Sequence, residues 1–129
     1  MNGDSIRQYC LAFPGATEKL QWGDDLCFKV NEKIFTILGL DSVPQRLCLK
    51  CDPETFAELC ERDGIRPAPY VGRYKWVMLD RLNAVGENEL EELIRASYEM
   101  VSVKSGGKRP GNARGKKKIK NKSVNRKGR

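Results

Sequence analysis

Tyr70-Val71-Gly72-Arg73-Tyr74-Lys75-Trp76-Val77-Met78-Leu79-Asp80 is the stretch whose reading decides the fold. From Tyr74 the side chains alternate, with Tyr74, Trp76 and Met78 on one side and Lys75, Val77 and Leu79 on the other. That period of two predicts a strand over Arg73 to Asp80.

Working outward, Pro67 and Pro69 confine Ile65 to Tyr70 to an edge strand or extended loop, because neither proline can donate a ladder hydrogen bond. Before it, Asp52-Pro53 has the form of an N-cap followed by proline at the first helical position, with Phe56, Leu59 and Cys60 as the buried face and Gly64 as the stop. Arg46 to Lys50 reads as a short strand. Leu26 to Val30 and Lys33 to Leu38 read as a hairpin turning at Asn31-Glu32; Glu is a poor second turn residue, so a longer or bulged turn is a second option. A first helix, capped by Asp4 or Ser5, buries Ile6, Tyr9, Cys10 and Phe13 and stops at Phe13-Pro14-Gly15. Downstream, Leu90, Leu93, Ile94, Ser97, Tyr98 and Val101 share one face of a helix from about Glu87 to Val103, with Glu87, Glu89, Glu91 and Glu92 near its positive end. The expected class is α+β, an antiparallel sheet with helices packed on one face.

Charge divides the chain in two. Of its 24 Lys and Arg, 12 lie between Lys104 and Arg129, where there is no acid. Residues 1–103 therefore carry 12 bases against 17 acids, net −5, and the remainder is net +12. The 104–129 segment is poor in apolar side chains and is expected to be a disordered basic tail beside a 1–103 domain. The first ten residues lack a secretory pattern, and the longest apolar run, Ile34 to Leu40, is far below the roughly 20 residues of a membrane span. Five cysteines without an export signal point to a reducing compartment, so a cytoplasmic location is expected.

Phe13-Pro14-Gly15-Ala16-Thr17-Glu18, Trp22-Gly23, Phe28-Lys29-Val30 with Lys33-Ile34-Phe35, and Lys75-Trp76-Val77 together resemble the MmcQ/YjbR-like family over about residues 4–103. The resemblance implies a CyaY-like fold and DNA binding through a "double wing" arrangement. Where relatives carry His beside the strand tryptophan, this chain has Lys75, and it has no histidine anywhere.

Candidate nucleic-acid contacts follow from charge and aromaticity. Lys116, Lys117, Lys118 and Lys120 form a cluster able to neutralise phosphates, a contact largely blind to sequence. Arg73, Lys75 and Trp76, with Lys29 and Lys33 of the first hairpin, could contact a duplex or stack on exposed bases, against the ordinary reading of Trp76 as strand packing. DNA, or RNA, is the expected partner. A protein-interaction domain using the acidic surface, its tail serving only solubility, is the alternative.

Cys48-x-x-Cys51 has redox or zinc spacing but stands alone, and buried thiols are its ordinary reading. Gly106-Gly107-Lys108 follows a helix and has Ser102 where a phosphate loop needs its first glycine. Without histidine there is no Ser-His or Cys-His nucleophile pair, so neither an enzyme nor a cofactor site is expected.

Overall fold

A computed structural model of the protein describes residues 1–106. The elements run α1 (Gly3–Leu11), β1 (Thr17–Gln21), β2 (Asp25–Val30), β3 (Lys33–Gly39), β4 (Arg46–Lys50), α2 (Pro53–Leu59), β5 (Ile65–Pro67), a 3-10 turn (Gly72–Tyr74), β6 (Trp76–Leu79) and α3 (Glu87–Gly106). Six strands make one antiparallel sheet in the order β1-β2-β3-β4-β6-β5. The α+β class is as expected.

Register sorts the side chains into two faces. Leu26, Leu38, Leu47, Leu79 and Ile65 lie opposite one another across five strands, and Phe28, Thr36, Leu49 and Val77 form the next row. These rows meet Ile6 and Cys10 of α1, Leu59 of α2 and Leu90, Ile94 and Val101 of α3 in one core. Burying a side chain of this size stabilises by about 1.5–3 kcal/mol, so the covered face is the main favourable contribution to the fold.

At the β2–β3 hairpin, Asn31 and Glu32 both adopt positive φ, 53° and 69°, and Val30 pairs directly with Lys33. The two-residue turn thus forms despite its glutamate. The irregularity falls further along: Phe28 pairs with Thr36 but Lys29 with Ile34, leaving Phe35 as an extra residue. The bulge aims Phe35 into an aromatic cluster, edge-on to Tyr98 at 5.3 Å and to Phe13 at 6.1 Å, while Phe13 stacks on Tyr98 at 4.5 Å. The Tyr98 hydroxyl donates to the Pro14 carbonyl at 2.6 Å and that of Tyr9 to the Glu91 carbonyl at 3.1 Å, fixing α1 against α3.

Several sequence expectations need correction. The first helix is capped by Asn2, whose side chain accepts from the Ser5 amide while Ser5 bonds back, so the capping box begins two residues before Asp4. Residues Thr17–Gln21, given no element in the sequence reading, form the edge strand β1. The Arg73–Asp80 strand is shortened to Trp76–Leu79, because Gly72–Tyr74 coils into a 3-10 turn that ends at Lys75 with φ 71°. The Lys75 amide donates to the Gly72 carbonyl at 2.9 Å and its own carbonyl accepts from Cys51 at 2.8 Å, which holds the reversal. Tyr74 therefore does not continue the row of Trp76 and Met78. The last helix runs to Gly106, three residues beyond Val103.

One buried hydroxyl closes the gap beside the bulge. Thr36 is the last β3 residue paired with β4, opposite Leu49, and the next pair would be Phe35 with Lys50. Ser97, fully buried on α3, stands between them: it donates to the Phe35 carbonyl at 2.6 Å and accepts from the Lys50 amide at 3.1 Å. Ser97→Ala leaves two backbone groups without that partner, so a loss of about 1–3 kcal/mol is expected, read as a lower urea midpoint with an unchanged denaturant slope.

Candidate functional site

The face of the sheet away from the helices is bare, and its residues follow from the same register. One cross-strand row reads Lys19, Cys27, Ile37, Cys48, Met78 and Arg66; its neighbour reads Gln21, Asp25, Gly39 and Arg46; Lys29 lies beyond on β2, and Lys50 pairs with Trp76. Five bases, Lys19, Lys29, Arg46, Lys50 and Arg66, thus share this face with one strand carboxylate, Asp25. Eight of the acids lie behind it, while Asp24, Asp25 and Asp41 stand around the trough on this face and Asp80 beside Arg66. Asp4, Glu54, Glu58, Glu87, Glu89, Glu91, Glu92 and Glu99 all belong to the three helices. The net negative charge of the domain combines an acidic helical layer with a sheet surface on which five bases stand beside the carboxylates of Asp25 and Asp41.

Between the two ends of the bare face lies a trough of about 620 Å3. Ile37, Cys48 and Met78 line it in the sheet, Ala68 to Val71 line it from the β5–β6 connection, and Trp22 lines it from the β1–β2 turn. Trp22 is 66% exposed and Tyr70 97% exposed. Both hold left-handed backbone conformations, with φ of 51° and 69°. A bulky residue there is a steric outlier costing on the order of 1–2 kcal/mol. Packing does not account for that cost, since neither side chain is buried.

The carboxyl groups around the trough crowd one another. Partial burial, with Asp41 and Asp24 nearby, holds the Asp25 carboxyl above its ordinary value. Elsewhere charges are paired. Arg7 makes two hydrogen bonds to Glu18, joining α1 to β1, and Arg62 bridges Glu58 to Glu89, joining α2 to α3. Arg66 lies 3.1 Å from Asp80.

The chain belongs to the YjbR family. Its family model, described only as YjbR, matches residues 11–100. Among solved structures, a Deinococcus radiodurans protein carrying the domain DUF419 superposes with a TM-score of 0.74 at 29% identity, covering 81% of this chain and 80% of the other. A Pseudomonas syringae protein superposes with a TM-score of 0.65 at 23% identity, over 78% of this chain and 99% of that one, a likeness of fold alone. No curated protein matches the chain.

The residues that suggested nucleic-acid contact in this YjbR chain are distributed unequally. Lys29 and Trp76 lie on the bare face. Lys33 pairs with Val30, whose side chain is in the core, so it begins β3 on the other row and is exposed at the hairpin tip. Lys75 is also on the helical side, its ammonium 5.1 Å from the centre of the Phe56 ring. Arg73 lies over its neighbour Tyr74 at 5.0 Å, on the turn before β6. The five candidates therefore do not converge on one site. Lys116, Lys117, Lys118 and Lys120 lie outside the described residues, as does most of the segment read as a tail. The sequence reading missed Lys19, Arg46, Lys50, Arg66, Trp22 and Tyr70, and the alternation of Thr17, Lys19 and Gln21 was the signal that would have found the first.

Cys48 and Cys51 part company as well. Cys48 lies in the bare-face row, whereas Cys51 is buried in the helical core. Burial pushes the Cys48 thiol up to about 11, with Asp25 raising and Arg46 lowering it, and the Cys51 and Cys10 thiols up to about 12. Among the described residues no group of three or more Cys, Asp or Glu is arranged to hold a metal ion. No described helix is long and apolar enough to cross a membrane.

These thiols give a signed pH dependence. Their ordinary value is 9.0, so between about pH 9 and 12 the unfolded chain has released protons that the folded chain retains. Stability contributed by the buried thiols is complete below pH 9 and falls as pH rises through that window. Urea unfolding of the wild type and Cys10→Ala is expected to diverge there, with the variant losing stability less steeply above pH 9.

Proposed function

We propose that the protein binds single-stranded nucleic acid across the bare face of its sheet, with DNA the first ligand to test. The observation that carries the reading is a cluster of bases and aromatic rings: Lys19, Lys29, Arg46, Lys50 and Arg66, the last paired with Asp80, share one face with Trp22, Tyr70 and Trp76 at or beside it, around a trough that Asp25 and Asp41 also line. Such a surface supplies both interactions a strand needs. Lysine and arginine neutralise phosphates and release counterions, and exposed aromatic rings stack on bases that a duplex keeps hidden. Stacking of this kind contributes about 1–3 kcal/mol per base and tolerates any sequence.

Membership of the YjbR family agrees with this reading without specifying the ligand. The acidic helices keep phosphates from the opposite side and so orient the strand toward the sheet. The basic residues from Lys108 onward add charge able to neutralise phosphates.

The test is fluorescence anisotropy on labelled single strands over a salt series, using the full chain. Each phosphate contact contributes about −0.7 to the slope of log affinity against log salt. The double variant Lys19→Ala, Lys29→Ala is expected to make that slope shallower by about 1.4, whereas Arg95→Ala on α3 leaves it unchanged. Equal effects from both variants would place binding in overall charge and sink the sheet-face reading. Truncation after Gly106 is expected to weaken binding and flatten the slope while leaving a salt-dependent remainder.

A further inference from the structure

The trough has a donor and an acceptor as well as an apolar floor. Asp25 of β2 and Arg46 of β4 flank Gly39 of β3 in one cross-strand row, and all three line the cavity. Their Cα atoms stand two strand spacings apart, about 10 Å. Gly39 contributes no side chain between carboxylate and guanidinium; the Ser42 hydroxyl stands 3.7 Å from where its Cβ would be, and Asp41 lines the same cavity. No ion pair joins Asp25 to Arg46 among the described residues. The volume of about 620 Å3 falls within the roughly 300–1,000 Å3 of small-molecule sites, which are apolar with a few polar groups that fix orientation.

We propose that the trough receives one unstacked guanine of the bound strand, with Asp25 accepting from its N1–H and N2–H2 groups and Arg46 donating to O6 and N7. This rests on the nucleic-acid reading of the same face. Arginine paired to O6 and N7 is the commonest specific contact to guanine, and a carboxylate takes two donors only from a base edge that offers two side by side. Guanine alone among the four bases meets both demands. Thymine and uracil place carbonyl oxygens on either side of their one ring N–H, facing the carboxylate with like charge. Adenine and cytosine each offer an amino group beside a ring acceptor, and adenine has no O6.

Trp22 and Tyr70 complete the site. They line the trough, exposed and in strained backbone conformations, and so offer it two aromatic rings. Stacking supplies affinity without choice of base; the carboxylate and guanidinium supply the choice.

The experiment compares labelled all-thymine strands with strands of equal length carrying one central guanine or one central adenine, on the full chain at fixed salt. The guanine strand is expected to bind about tenfold tighter than the thymine strand, and the adenine strand within about twofold of it. Asp25→Ala is expected to bring the guanine-to-thymine ratio close to one, and Tyr70→Gly, at a fully exposed position whose positive φ suits glycine, to lower it without unfolding the domain. Equal affinity for all three strands overturns the guanine site and leaves the electrostatic reading standing. A guanine preference that survives Asp25→Ala also overturns it, because the choice would then be made elsewhere. Failure of every strand to bind removes the underlying reading and this one together.

Discussion

Three helices cover one face of a six-stranded sheet, whereas no described helix covers the other, where loop residues such as Trp22 and Ala68 to Val71 frame a trough. Every strand is therefore two-sided, and the register that buries Leu38, Leu47 and Leu79 also fixes what must face outward. A one-residue slip would exchange the rows. Soluble sheets normally meet this constraint with polar outer rows. Here the rim of the bare face is polar, but its centre is Ile37, Cys48 and Met78, an apolar strip framed by bases. The strip does nothing for the core, so its chemistry has to be explained by what comes to it.

The covered side shows how the outward face is held still. The bulge at Phe35 spoils regular pairing between β3 and β4, and Ser97 repairs it by joining the Phe35 carbonyl to the Lys50 amide. That repair fixes α3 over the centre of the sheet. The aromatic cluster of Phe13, Phe35 and Tyr98 then anchors the end of α1, and Arg62 ties α2 to α3. Lys50 is thereby positioned on the bare face by a backbone hydrogen bond to the buried side, so the two faces of the sheet are mechanically coupled there.

Much of the fold was legible because local and long-range signals agreed. Asp52-Pro53 named a helix start, Asn31-Glu32 a hairpin, and the periodicity of Leu90 to Val101 a covering helix. Reading failed where alternation was a poor guide. At Tyr74-Lys75 the chain keeps a strand-like pattern but reverses hand, because Lys75 adopts a left-handed conformation secured by bonds to Gly72 and Cys51. No rule of propensity assigns such a conformation to lysine. Between Ala16 and Trp22 the error was the opposite: an edge strand exposed on both sides has few apolar side chains, and its polar alternation resembles a loop. The site depended on those two segments. Without β1, Lys19 and Trp22 were not read as site residues, and grouping Lys75 with Trp76 ignored the alternation that already set them on opposite sides.

The position of the charges bears on how a domain of net −5 would meet the proposed phosphate-bearing ligand. Whole-domain charge governs approach at long range, yet at physiological ionic strength the screening length is about 8 Å. A strand lying on the sheet is closer to Lys19, Lys29 and Arg46 than to the carboxylates of α3 on the far side of a packed layer. Screening attenuates the helical acids behind the packed layer, while Asp25 and Asp41 at the trough act at the same short range as the bases. The strain at Trp22 and Tyr70 fits the same division of labour. Two large rings kept in solvent on unfavourable backbone conformations cost the free protein stability, and under the proposed function that cost would be recovered only when the surface is occupied.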